Sequence, residues 1–301
     1  MSGAAVHVSR RLERDFALTA RASRRERAVA AWLRREAWQN LGVQLPRTVR
    51  VTRYVTPLRE GGSLPAIVEA DDDGLYVLKF RGAGQGPRAL IAELVAGEIG
   101  RALGLPVPEL VFAQIHPDLA RTEPDPEIHA LILDSAGLNL AIDYLPGSVT
   151  YDPIVHAPED ELASRIVWFD AYLMNVDRTA RNTNMLLWHR RLWLIDHGAA
   201  LYFHHTPGWE TAQSRARDPF PLITQHVLMK HARSLDQIDA SMADKLSETV
   251  IQSIIAGIPA SWIELDGIEH EVPRVRTAYL RFLMDRLDSP RLFMTEALRG
   301  R

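Results

Sequence analysis

The chain has 301 residues, 47% apolar and 24% charged, with a formal net charge of −3. This can build substantial cores in one large or two-part domain, and it argues against a nucleic-acid wrap, which calls for a basic domain. The sequence contains no cysteine, which removes disulfides, thiolate metal sites and cysteine nucleophiles from consideration.

Residues 1–47 read as a helical extension. Leu12, Phe16 and Leu18, then Val29, Trp32, Leu33 and Trp38, supply apolar faces, while Arg10, Arg11, Arg14, Arg21, Arg24, Arg25 and Arg27 make the stretch locally basic. Interspersed glutamates favour a solvated helix over a surface for an anionic partner. The first residues lack the apolar core of a secretory leader, and no window holds 18 apolar residues, so a cytoplasmic protein without a membrane span is expected.

From Thr48 the period shortens to that of strands. Val49, Val51, Tyr54 and Val55 mark one, residues 66–69 a second and residues 75–80 a third. Gly61-Gly62-Ser63 separates the first two, and a turn over Asp71 to Gly74 separates the next pair. Lys79 closes the apolar run Tyr76-Val77-Leu78 on a face expected to point inward, where an ammonium needs an anionic partner. The alternative is a strand-end lysine snorkelling to water. Residues 88–103 read as an amphipathic helix, with Leu90, Leu94, Ile99 and Leu103 on its apolar side. Glu93 and Glu98 are its two candidate partners for Lys79, and Gly104 followed by Pro106 ends it.

Residues 110–115 form the next expected strand, followed by a polar loop over 118–125. Residues 140–145 form another strand, running into Pro146-Gly147, where a domain boundary is expected. Residues 159–174 are helical in pattern, and Asp170 on that helix could hydrogen-bond the backbone of the loop that follows, although a solvent-facing charge is the commoner case.

That loop carries the chemistry. Asn175-Val176-Asp177-Arg178 leads to Asn182 and Asn184, then to two short apolar runs, residues 185–188 and 192–195. His189, Arg190 and Arg191 between the runs look like a hairpin turn. The second run ends in Asp196-His197-Gly198. An acid on a loop, an amide five residues on and a second acid past a strand are the groups phosphoryl transfer needs. One carboxylate handles the acceptor hydroxyl, and an amide oxygen and the other carboxylate hold a hard cation on the phosphates. Farther on, His204 and His205 lack a third ligand at metal spacing, so zinc is not expected there. Residues 213–217 read as a polar, substrate-facing loop. Residues 221–255, 273–286 and 290–298 are helical in pattern, with Ser234 marking a helix start.

The segments NVDRTARNTN and LWLIDHGAAL, with YVLKF and GLPVPE upstream, resemble the HipA-like kinases, in particular their small bacterial members. The resemblance covers about Arg50 to Arg233 and extends more distantly to the phosphatidylinositol kinases. It implies an α+β, two-lobed protein-kinase-like fold. An N-lobe of small antiparallel sheet and one main helix would span 48–144, and a helical C-lobe 145–301. It also implies ATP and Mg2+ as cofactors. Asp177 would orient or deprotonate the acceptor, Asn182 and Asp196 would hold the metal, and Lys79 would grip phosphates. Glu93, in the first half of the helix where the family's acid falls, would orient Lys79. Gly61, Gly62 and Ser63 would cover the phosphates, and backbone groups near Ile142 to Leu145, Ile142 and Tyr144 among them, would meet adenine.

This chain departs from the usual kinase pattern at three points. Asn175 and Val176, not His-Arg, precede Asp177. His197 stands where Asp-Phe-Gly has Phe. No lysine lies two residues past Asp177, so Arg178 or Arg181 would supply that charge. The resemblance makes protein Ser/Thr the first acceptor to consider. A small-molecule or lipid kinase and a nucleotide-binding pseudokinase are the alternatives. A pyridoxal-phosphate enzyme would have to draw on Lys79, Lys230 or Lys245, the only three lysines. Full HipA-like kinases pair with a DNA-binding antitoxin. No sequence feature here points to such a partner, and there is no obvious room for the family's usual N-terminal subdomain, which counts against a toxin role.

Overall fold

The computed structural model describes residues 45–58, 64–84, 86–211, 213–265 and 272–301. The expected N-terminal helix and the Gly61-Gly62-Ser63 tip lie outside them.

Alternation of inward and outward residues builds the first strands. β1 (Thr48–Pro57), β2 (Ala66–Ala70) and β3 (Leu75–Lys79) form an antiparallel meander. Val49, Val51, Val68, Tyr76 and Leu78 point into the core, and Arg50 and Arg53 stay outside. β5 (Gly137–Asp143) lies between β3 and β4 (Leu110–Ile115), antiparallel to both. β1 then pairs with β4 in parallel, Val49 opposite Ala113, and the five strands close into a barrel. The expected small antiparallel sheet is corrected here, because a single parallel pairing joins its two ends. Register shifts between Val51 and Arg53 and between Tyr54 and Thr56 are the kinks that let one ten-residue strand serve both neighbours. Ala66, Ala70, Ala113 and Ala141 are fully or nearly buried, and such small side chains suit so narrow an interior.

α1 (Pro87–Ala102) begins with proline in its first turn, and every residue from Leu90 to Gly100 is buried. It is therefore a central helix rather than the amphipathic one expected. A Cβ on Gly97 would fall 2.8 Å from Leu110, and one on Gly100 would fall 2.9 Å from Val107. Each contact is with a side chain, so an added Cβ would force the Leu110 or Val107 side chain to shift. Past β4 come a 3-10 turn (Pro117–Thr122) and α2 (Pro126–Asp134), capped by the Asp125 carboxylate on the Glu127 N–H at 2.9 Å.

α3 (Asp160–Leu173) is almost wholly buried and stops at Met174, which turns left-handed at φ 53°. β6 (Val149–Thr150), β7 (Met185–Trp188) and β8 (Arg191–Leu194) make a second sheet. The β7–β8 turn has two residues, His189 and Arg190, at φ 47° and 62°, the turn that matches strand twist. Arg191 already belongs to β8.

The remaining chain is helical: α4 (Leu235–Asp244), α5 (Glu248–Ala256), α6 (Ala260–Leu265), α7 (Val272–Leu287) and α8 (Leu292–Arg299). The expected continuous helical reading of 221–255 does not hold over its first part. Residues 221–231 instead form two short 3-10 turns, with His226 extended and Val227 and Leu228 in a turn between them. His226 bridges Thr179, and the Val227 N–H donates to the Arg178 carbonyl at 3.1 Å. Arg286 of α7 is buried without a carboxylate. It donates to the carbonyls of Ala171 (2.7 Å), Tyr172 (2.8 Å), Asp218 (2.9 Å) and Ala216 (3.1 Å). The first two lie in the last turn of α3, the negative end of that helix. Burial still pushes the guanidinium down to about 10. Among the described residues, no helix is long and apolar enough to cross a membrane.

Candidate active site

Pleating sends Tyr76 and Leu78 into the barrel and Lys79 toward α1. Lys79 Nζ lies 2.5 Å from Glu93 Oε2 and 2.6 Å from Asp196 Oδ1. Glu93 is fully buried, and its other oxygen, Oε1, is 3.4 Å from His197 Nδ1. Burial opposes the Lys79 ammonium, yet the lysine is raised because Glu93 and Asp196 flank it. Burial likewise pushes Glu93 up, but Lys79 and His197 outweigh it and hold the carboxyl down to about 2. Glu98, the other candidate, sits five residues along α1, about 140° around the helix, and points elsewhere. Arg101 Nε is 3.6 Å from it, and burial pushes its carboxyl up to about 7.

The loop after α3 supplies the second half of the site. Asp177 Oδ2 accepts from Asn182 Nδ2 at 2.8 Å and from Asn184 Nδ2 at 3.2 Å. With its nitrogen spent on Asp177, Asn182 keeps its amide oxygen as the acceptor for a cation. Asn182 is exposed and Asp177 half-buried. Asn184 Nδ2 also lies 3.4 Å from the Asp196 carbonyl. Asp196 is held left-handed at φ 53°, and its side chain is 50% exposed. Lys79, Glu93, Asp196, Asp177 and Asn182 thus belong to one connected region, joined through Asn184.

Behind them is a sealed network. Asp170 is fully buried, not solvent-facing. Its Oδ2 accepts from Arg178 Nε at 2.7 Å and His226 Nε2 at 2.8 Å, and its Oδ1 accepts from Asn175 Nδ2 at 2.8 Å. The Asp177 N–H in turn donates to Asn175 Oδ1 at 3.2 Å. Burial raises Asp170, but Arg178 and His226 dominate and hold the carboxyl well below the usual range. The Leu228 N–H donates to His226 Nδ1 at 3.0 Å, so the ring proton is assigned to Nε2, facing Asp170. Burial lowers His226, against the opposing pull of Asp170. Arg178 also donates to the Asn184 carbonyl and is 1% exposed. Its guanidinium points inward, which corrects the expectation that it binds phosphate. Arg181 is exposed on the same loop.

A second correction concerns the expected adenine contacts. Ile142 is in register with Val77 on one side and Leu110 on the other, and the Tyr144 N–H donates to the Leu75 carbonyl at 3.0 Å. Ile142 belongs to the barrel ladder and Tyr144 follows it with its N–H engaged, so the backbone past β5 is that of residues 144–148. Gly61, Gly62 and Ser63 lie outside the described residues. Among the described residues no three His, Cys, Asp or Glu side chains converge as a metal cage. An amide and a carboxylate completed by phosphate oxygens would not form such a cage.

A family model described as HipA-like kinase matches residues 51–295, most of the chain. The chain belongs to the HipA-like kinase family. As a member it is a kinase, a phosphotransferase. Comparison with curated proteins gives no match. Among solved structures this HipA-like kinase is similar to the Helicobacter pylori proinflammatory kinase CtkA, with 14% identity and a TM-score of 0.49, covering 84% of this chain and 99% of that one. It is also similar to a Golgi casein kinase with Mn/ADP bound, with 12% identity and a TM-score of 0.46, covering 90% of this chain and 76% of that one.

In this HipA-like kinase, sequence reasoning ranked the solvent-facing reading of Asp170 first and passed over His226 and the role of Asn184. A signal for Asp170 was present. It is the one carboxylate in the run Ile166 to Leu173, and a lone acid in an all-apolar helical run calls for buried partners. His226 carries no comparable signal, since its partner is 56 residues away.

Proposed function

We propose that this kinase transfers the γ-phosphoryl group of ATP to a hydroxyl, with protein Ser/Thr as the first acceptor class. The observation that carries the reading is the meeting of Lys79 and Asp196 beside the Asp177–Asn182 pair. In this reading the barrel with α1 (residues 48–144) acts as the nucleotide-facing lobe, and residues 145–301 as the lobe that holds the acceptor.

Asp196 and Asn182 present hard, solvent-reachable oxygens, the donor set that suits Mg2+. When bound, that ion supplies neutralisation of phosphate charge. Lys79 exchanges part of its contact with Asp196 for phosphate oxygens, and Glu93 keeps the ammonium in place. Arg181 is the cation of the loop available to phosphate or acceptor. Residues 144–148 are the backbone that would face adenine. Asp177 receives the acceptor hydroxyl proton as the new O–P bond forms and the bond to the ADP oxygen breaks.

The test is γ-phosphate-labelled ATP with purified protein and cell lysate. A carboxylate acting mainly in the transition state contributes to kcat and little to nucleotide affinity. Asp177→Ala is expected to lower kcat on the order of 10²–10⁴-fold with ATP affinity nearly unchanged. Label in protein, lipid or small molecules assigns the acceptor class. Wild-type protein that binds ATP but labels nothing, itself included, would overturn the enzyme reading in favour of a binding module.

A further inference from the structure

We infer that Asn184 is a positioning residue that sets the spacing between the acceptor-handling carboxylate, Asp177, and the loop that carries Asp196. This rests on the phosphoryl-transfer reading of those two acids.

Asn184 stands just before β7, buried, at φ 47°. Its side-chain nitrogen reaches two oxygens, Asp177 Oδ2 at 3.2 Å and the Asp196 carbonyl at 3.4 Å. Both can only accept, so the amide must turn its NH2 toward them. Its own carbonyl accepts from the Ile195 N–H at 3.0 Å and from Arg178. One residue thus touches Asp177, its neighbour Arg178, Asp196 and its neighbour Ile195. The two loops are 19 residues apart in sequence, and this residue fastens them together.

The residue type follows from those duties. A left-handed backbone admits glycine freely and asparagine more readily than other side chains. Glycine lacks the donors. Aspartate would set a third negative charge against Asp177, and serine is too short to span both oxygens. Asparagine meets the backbone and the donor requirement together. Phosphoryl transfer depends chiefly on holding the reactants in line, and a displacement of about 1 Å can cost about 10²-fold.

The experiment separates the backbone duty from the amide duty. Asn184→Gly keeps the left-handed turn and deletes the amide. Its melting temperature should stay close to wild type while kcat falls on the order of 10–10²-fold. Its KM for ATP should move by less than about threefold, the mark of a contact that acts on the transition state. In an Asp177→Ala background the same change should cost little more, because the two residues act as a unit. Asn184→Asp keeps size and shape but turns a donor into a charge, and should lose more kcat than glycine. Should Asn184→Gly fail to fold, Asn184→Asp carries the same comparison of kcat per folded molecule. Wild-type kcat in either variant, or full additivity with Asp177→Ala, overturns the inference and leaves the kinase reading intact. A wild type without phosphoryl transfer overturns both.

Discussion

Two charge clusters lie back to back in this molecule, and they differ in who completes them. In the Lys79 cluster the cation sits between a fully buried Glu93 and an Asp196 whose side chain is 50% exposed. In the Asp170 cluster the carboxylate, the Arg178 guanidinium and the His226 ring are all sealed from solvent. The first has one replaceable partner, so an incoming anion or cation finds an opening. The second is closed among protein groups and serves as the frame on which the loop of Asp177 hangs. The two clusters thus differ not in burial of their central charge but in whether one partner is exposed.

The sharpest way to break the contrast is Asp170→Ala. It leaves the Arg178 cation buried without its counter-ion, and removing one partner of a buried pair costs about 3–5 kcal/mol. Chemical denaturation should show a loss of that size. A loss below about 1 kcal/mol would mean the network is not the frame proposed here.

Glu98 provides a third case on the same helix as Glu93. Its carboxyl is raised to about 7 by burial, so between about pH 4.5 and 7 the folded state binds more protons than the unfolded one. Stability should be fully present below about pH 4.5 and fall as pH rises through 7, by at most roughly 3 kcal/mol. Glu98→Gln should remove that slope from denaturation midpoints measured across the window. An unchanged slope would locate the titration elsewhere.

The smallest stability effect belongs to Asp196→Asn. Its carboxylate is half exposed, and solvent-screened pairs contribute about 0–1 kcal/mol. The variant should melt near wild type yet lose metal-dependent nucleotide binding by calorimetry. Retained metal-dependent binding would remove Asp196 from the metal site.

Much of this arrangement could be read from the chain. Lys79 stood out as a charge ending an apolar strand with Glu93 and Glu98 as candidate partners, and the family resemblance favoured Glu93. The spacing of Asp177, Asn182 and Asp196 pointed to one chemistry, and the β7–β8 hairpin was marked by its polar turn. What stayed hidden depends on tertiary placement, with some partners distant in sequence and others only a few residues away but turned inward by the fold. Barrel closure depends on β1 meeting β4 about sixty residues later. Arg178 looked like an available cation because its partners, Asp170 and the Asn184 carbonyl, are apparent only in the fold. The break in the helical pattern near His226 comes from that residue pairing with Thr179, a preference local propensity does not encode.

Closure of the barrel also bears on how the protein behaves in a crowd. An open sheet ends in rows of unsatisfied amides and carbonyls that can template a strand from another molecule. Here β1 pairs with β4 over Thr48–Arg50 and with β2 over Val51–Pro57, so both ends of the five-strand order are joined. The second sheet ends in β6, only two residues long, and in β8, whose outward Arg191 puts a charge on that rim. Amyloid-type stacking and strand exchange between copies therefore find little purchase on either sheet.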